Sequence, residues 1–178
     1  MAVLVPTKPE QMFDNSWWDI QRTWLSNTKF YDSVITKGDV VAVLPLLQDL
    51  ETMLLVKQFR FPIMKDIWEA PSGMIDGNEE PMRAALRELR EKTKYTAELE
   101  NIWEVGEPVY TSPGLTSERI HLFIAFDCVP DDDQIYDQSD VAHEEIEEVS
   151  MFRLSAPPLL EDLKTITLLE AATSLLGA

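Results

Sequence analysis

The sequence predicts an α+β protein: a mixed β-sheet with two principal helices, preceded by a β-rich N-terminal segment. Three observations carry this. Apolar, β-branched runs of strand length lie in the middle of the chain between polar turns. Two later stretches repeat their apolar residues at helical spacing. The first 38 residues are rich in aromatic and polar groups. At 178 residues, one domain is favoured over two small ones.

Each element follows from local chemistry. In the N-terminal segment, Phe13, Trp17, Trp18, Trp24, Phe30 and Tyr31 fit strands over residues 17–26 and 29–35. Exposed Trp is costly, so these rings are expected to pack on the main body or on a partner chain. Residues 40–47 and 52–61 read as strands joined by a polar turn at Gln48 and Asp49. Residues 67–70 are short and extended and stop at Pro71, and residues 72–78 read as a loop containing Gly73, Gly77 and Asn78. A helix then starts, with Asn78 as expected N-cap, Glu79 and Glu80 at its positive end and Pro81 in its first turn. Met82, Ala85, Leu86 and Leu89 form its apolar stripe, with Glu88, Glu91 and Lys92 on an adjacent face, and it ends near Lys94. Strands are expected at 99–105, 119–126 and 148–152, with a loop at 108–115 and an acidic loop before the last strand. After Pro157 and Pro158, Leu159, Leu163, Ile166, Leu169, Ala172 and Leu176 fit one helical face.

Charge excludes some functions. Fifteen Lys and Arg against 32 Asp and Glu leave a formal net charge of −17. That argues against a general nucleic-acid binder and against docking on anionic membrane surfaces. Residues 129–150 alone hold nine acidic side chains and no Lys or Arg. The one cysteine, Cys128, allows no intrachain disulfide and reads as a packed thiol. Residues 1–5 are apolar but end at Pro6, too short for a signal peptide, and no apolar run approaches ~20 residues. A reducing, cytoplasmic compartment is the expectation.

The chemistry-bearing segment runs from Gly73 to Tyr95. Glu88 and Glu91 lie three apart on the predicted helix, so their carboxylates project to one side. A glycine loop lets backbone carbonyls approach the same spot. Hard oxygens converging on one point suit Mg²⁺ or Mn²⁺, which neutralise a diphosphate and help activate water. An isolated Glu-x-x-Glu is ordinarily a solvated face, and here the surrounding spacing decides. Gly73, Glu79, Arg87, Glu88, Leu89 and Glu91 fall at the spacings of Gly-x5-Glu-x7-Arg-Glu-U-x-Glu-Glu-x-Gly-U, where U is apolar, with Tyr95 a loose match at the end. The segment resembles the Nudix box of the Nudix hydrolases. The resemblance implies the Nudix fold, an α/β/α sandwich.

Two positions depart from the pattern. Lys92 stands at the second Glu of the Glu-Glu pair, which in the family is usually a principal metal ligand, and Lys94 at the second Gly. An ammonium there repels a divalent ion by roughly 8 kcal/mol at ~4 Å and an effective dielectric of ~20. Lys92 either swings to solvent on its long stem or partly replaces the metal. Lys94 in a left-handed helix end costs on the order of 1 kcal/mol.

Outside the box the chain is similar to the ADP-ribose (ADP-sugar) pyrophosphatase branch over residues 40–152. The matching stretches are Lys57-Gln58-Phe59-Arg60-Phe61-Pro62, Trp68-Glu69-Ala70-Pro71-Ser72-Gly73-Met74-Ile75-Asp76 and Ser112-Pro113-Gly114-Leu115-Thr116-Ser117-Glu118-Arg119. The resemblance implies a domain over residues 39–178 and an N-terminal strand and dimerisation segment over 1–38. It implies Mg²⁺ or Mn²⁺ held by the Ser72 carbonyl, Glu88, Glu91 and Glu147, with Glu88 and Glu91 also catalytic. Glu145, in the acidic loop before Glu148-Val149, is the expected base. Arg60, Glu69 and Glu118 are the expected substrate-binding residues. For Arg60 the alternative is a salt bridge, and for both glutamates a structural role. The implied reaction is hydrolysis of ADP-ribose or a related nucleoside diphosphate sugar to AMP and a sugar phosphate, by a homodimer. The alternative, motivated by Lys92, is a degenerate domain that binds nucleotide sugars with little or no hydrolysis.

Overall fold

The computed structural model describes residues 8–26, 29–132 and 146–177. In chain order the strands are β1 (Glu10–Asp14), β2 (Trp18–Ser26), β3 (Lys29–Thr36), β4 (Val40–Leu47), β5 (Thr52–Arg60), β6 (Lys65–Glu69) and β7 (Ser72–Met74). Helix α1 (Pro81–Thr93) follows, then β8 (Tyr95–Thr96), β9 (Ile102–Glu104), β10 (Val109–Tyr110), β11 (Arg119–Pro130), β12 (Ile146–Arg153) and α2 (Leu163–Leu176). The α+β class is the one the sequence predicts. The chain forms two compact units, Met1–Val40 with Pro108–Ile120, and Val41–Glu107 with His121–Ala178.

In the first unit, β1, β2 and β3 form an antiparallel meander. Arg22 and Asp32 face each other across the β2–β3 pair and form a bidentate ion pair at 2.6 and 2.7 Å. Backbone and side-chain bonds from Val34 to Leu115 and from Thr36 to Ser117 tie β3 to the 108–120 segment. Phe13, Trp17, Phe30 and Tyr31 remain about half exposed in the single chain. Among the described residues their cover is partial, Phe13 packing on Trp18 and Phe30 on Trp24 and Arg22.

The second unit is built on the strand order β11-β4-β5-β12, with β6 beside β5, β7 beside β4, and β8 and β9 beside β11. Val41 to Leu44 and Met53 to Val56 are buried without interruption, so the central strands are covered on both faces. On one face Val41 and Val43 pack with Ala84, Ala85 and Leu89 of α1 and with Phe123 and Cys128 of β11. The β4–β5 turn is held by Asp49, whose carboxylate accepts from Glu51 N, Thr52 N and Thr52 Oγ1.

Five expectations need correction. The N-cap of α1 is Glu80, not Asn78: Pro81 occupies the first helical position, where its fixed φ suits it, and holds the residue before it extended. Met82 is half-exposed, and the buried face of α1 instead includes Glu88, Lys92 and Thr93. Residues 99–101 form a 3-10 turn, leaving only β9 of the expected strand, and residues 72–74 pair with β4 rather than remaining loop. The buried positions of α2 are Thr165, Leu168 and Ala172, whereas Leu159 and Leu163 are largely exposed. Polar anchoring sets that phase: Asp162 caps the helix through Thr165 N at 3.0 Å, and Thr165 Oγ1 accepts from Ala70 N at 2.8 Å. No helix among the described residues is long and apolar enough to cross a membrane.

Candidate active site

The site is built where β7 runs under α1. Gly73 lies directly beneath the carboxylate of Glu88, so close that a Cβ on residue 73 would meet Glu88 Oε1 at 2.1 Å. That contact is the physical reason for glycine here, since its backbone needs no positive φ. Glu88 sits one helical turn before Lys92, and both point into the buried face.

Arg87 organises the carboxylates. Its Nη1 donates to Glu88 Oε1 at 2.8 Å and to Glu91 Oε2 at 3.3 Å. Its Nη2 donates to Glu79 Oε2 at 3.0 Å and to the Met74 carbonyl at 2.9 Å. One guanidinium thus fixes three glutamates of the box and the strand beneath them, using its fork of donors. Burial alone would lower its pKa, but the bonds to Glu79 and Glu88 and their charges outweigh that and raise it. Arg87 stays charged. Burial pushes the Glu88 carboxyl above the usual carboxylate range, and the nearby Lys92 and Arg87 charges oppose the push.

Lys92 does not swing to solvent. Its side chain is 8% exposed, its Nζ donates to the Ser72 carbonyl at 2.5 Å, and Glu88 Oε2 lies 3.7 Å away. The ammonium therefore lies between two of the three described groups expected to hold a metal. Lys94 adopts the left-handed conformation expected at the helix end, with φ 63°.

The other predicted residues fall in three places. Arg60 forms a bidentate ion pair with Glu69 at 2.7 and 2.8 Å, and Lys164 reaches the same carboxylate at 2.7 Å. Glu69 is 1% exposed, so it is the anion of a closed ion-pair node. Sequence reasoning missed Lys164, because its signal lies in an N-terminal turn of α2 whose buried face was misphased. Glu118 belongs to the first unit, where its Oε1 accepts from Thr111 Oγ1 at 2.7 Å. Glu145 lies outside the described residues. Glu147 lies on β12, but its side chain is likewise outside them. Cys128 is buried, and burial pushes its thiol up to about 12, far from a nucleophile's range.

Residues 36–168 match the family described as the NUDIX domain. The chain belongs to the NUDIX family. The chain is 36% identical over 118 residues to an ADP-ribose pyrophosphatase of Bacillus subtilis, which covers 65% of this chain and 62% of that one. It is 38% identical over 104 residues to an ADP-sugar pyrophosphatase of Mus musculus, covering 57% and 46%. The chain thus spans less than two thirds of the length of either relative. The fold is shared with a crystal structure titled as an ADP compounds hydrolase: TM-score 0.72 and 16% identity over 99% of this chain and 97% of that one.

A NUDIX box implies a divalent ion, and the donors here can be tested against one. The oxygens of Ser72, Glu88 and Glu91 are of the right kind. Their arrangement is not, because the Ser72 carbonyl and Glu88 already share an ammonium, and Arg87 takes both Glu88 and Glu91. No group of three or more His, Cys, Asp or Glu side chains converges as a metal cage among the described residues. As arranged, the position between Ser72 and Glu88 does not fit a divalent ion.

Proposed function

We propose that this NUDIX domain cleaves the diphosphate of ADP-ribose or a related nucleoside diphosphate sugar, giving AMP and a sugar phosphate. One observation carries the reading: the cluster of Gly73, Arg87, Glu88 and Glu91 assembled between β7 and α1. The substrate class is supported by relatives named for ADP-ribose and ADP-sugars. In the reaction water adds to one phosphorus, and the bond from that phosphorus to the bridging oxygen breaks. Glu145 takes the proton of the water as general base. Arg60 contacts a phosphate oxygen, with Glu69 holding its guanidinium in a fixed plane. Glu118 takes part in binding the substrate. Dependence on Mg²⁺ or Mn²⁺ through Ser72, Glu88, Glu91 and Glu147 would require Lys92 to leave its place between Ser72 and Glu88.

A second reading is favoured by the ammonium of Lys92 on the Ser72 carbonyl: the domain binds nucleotide sugars with little or no hydrolysis. Incubating the full chain with ADP-ribose and Mg²⁺ or Mn²⁺, with AMP read by chromatography and binding by calorimetry, separates the two. AMP formation lost in Glu145→Gln supports hydrolysis. Binding without AMP supports the second reading, and neither binding nor AMP refutes both.

The reading includes a homodimer through residues 1–38, supported by the half-exposed rings of Phe13, Trp17, Phe30 and Tyr31. Light scattering at twice the chain mass is expected, and a monomer mass would refute it. A cytoplasmic location accords with the lone, buried cysteine.

A further inference from the structure

The ammonium of Lys92 is buried, and a buried charge persists only with close partners. Its partners belong to opposite walls of the site: the Ser72 carbonyl on β7 and the Glu88 carboxylate on α1. Glu88 in turn is buried, pressed against Gly73, and neutralised from its other side by Arg87. With these contacts the carbonyl has its donor and the carboxylate has two cations. Nothing in this pairing calls for an added divalent ion, and an ion entering between Ser72 and Glu88 would meet a fixed positive charge.

We infer that Lys92 is a built-in replacement for a divalent ion, joining β7 to α1 through Ser72 and Glu88, so that this part of the site is closed without metal. The inference rests on the NUDIX reading of the site but not on turnover. It assigns Lys92 a positioning role: its charge holds Glu88 over Gly73 and keeps the box in shape at any metal concentration. It also implies that the ion site is latent and that a single reversal of charge at position 92 opens it.

The experiment titrates the full chain with Mn²⁺ alone, without nucleotide, in about 0.15 M salt to screen the acidic surface. Free Mn²⁺ is read by electron paramagnetic resonance, and melting temperature is followed in parallel. Wild type, Lys92→Glu, Lys92→Met, Glu88→Gln and the Lys92→Glu/Glu88→Gln pair are compared. In the wild type, Mn²⁺ binding is expected to be the same as in Glu88→Gln, and chelator is expected to leave the melting temperature unchanged. Lys92→Glu is expected to melt several degrees lower in chelator. With Mn²⁺ it is expected to recover, and to bind the ion at least about tenfold tighter than the wild type, a gain lost in the pair. Lys92→Met is expected to lose melting temperature without any recovery from Mn²⁺.

A wild-type Mn²⁺ site removed by Glu88→Gln would overturn the inference, as would a Lys92→Glu variant that folds but gains no ion. Should Lys92→Glu not fold, the comparison of wild type with Glu88→Gln decides alone. Turnover of ADP-ribose is assayed separately. A chain that makes no AMP refutes the hydrolysis reading and leaves this result standing, and a Glu88-dependent Mn²⁺ site in the wild type does the reverse.

Discussion

Glu88 is wedged between a glycine and two cations, and the wedge sets the chemistry of the whole cluster. Gly73→Ala would drive a methyl into the Glu88 carboxylate, which cannot retreat without leaving Arg87. The substitution is expected to cost about 1–3 kcal/mol of stability, measured by urea unfolding. Removing the carboxylate as well, in Gly73→Ala/Glu88→Ala, should cost about 1 kcal/mol less than the sum of the single changes. Strict additivity would show that the two residues do not meet. Cys128 makes a prediction about pH. Burial raises its thiol from 9.0 to about 12, so the folded state keeps the proton that the unfolded state releases. Stability from this source is complete below pH 9.0 and is lost as pH rises toward about 12. Cys128→Ala should flatten that alkaline limb of the melting curve, and Ellman's reagent should label the wild type only after denaturation. At this scale the box spacing was legible in the sequence, because each position has a distinct chemical duty. The seat of Lys92 was not. Its long stem can carry the ammonium to solvent or inward, and the folded position of the Ser72 carbonyl and Glu88 carboxylate, which the sequence does not place, draws it inward.

The ends of α1 illustrate how far local rules reach. Lys94 closes the helix in a left-handed conformation, with its N–H donating to Arg90 O at 2.9 Å. A side chain there is strained, so Lys94→Gly should relieve it. The gain is reduced by the greater freedom of glycine in the unfolded chain, leaving a net stabilisation of about 0.5–1 kcal/mol by denaturant titration. A loss of stability would mean that the contact of Lys94 Nζ with Glu91 O matters more than the backbone. The strands β4 and β5 were readable because their apolar, β-branched runs are buried on both faces. Helix α2 was readable as a helix but not in its phase. Thr165 is fully buried through bonds to Asp162 and Ala70, and an apolar pattern does not register a polar anchor. The short strands β8 and β10, two residues each, have no periodicity to detect.

At the scale of the whole molecule the dominant quantity is charge. A chain at −17 repels itself, and compaction into folded units brings those charges closer. The described ion pairs offset this only weakly where they are exposed, as for Arg22 with Asp32 and Arg119 with Asp39. The strong pairs are internal, Arg87 with its glutamates and Glu69 with Arg60 and Lys164, and salt screens these less. Screening should therefore relieve repulsion more than it weakens attraction. The melting temperature is expected to rise by a few degrees between about 20 mM and 200 mM NaCl, as the Debye length shortens from roughly 20 Å to below 10 Å. KCl should give the same rise, since the effect is ionic strength and not a bound ion. Nine of the acids fall within residues 129–150, so Asp133→Asn/Asp137→Asn/Asp140→Asn should raise the low-salt melting temperature and shrink the response to salt. A melting temperature that falls with salt would assign the net balance to attraction among the exposed pairs. A rise that the triple variant leaves unchanged would place the repulsion elsewhere in the chain, outside the segment that holds the proposed base.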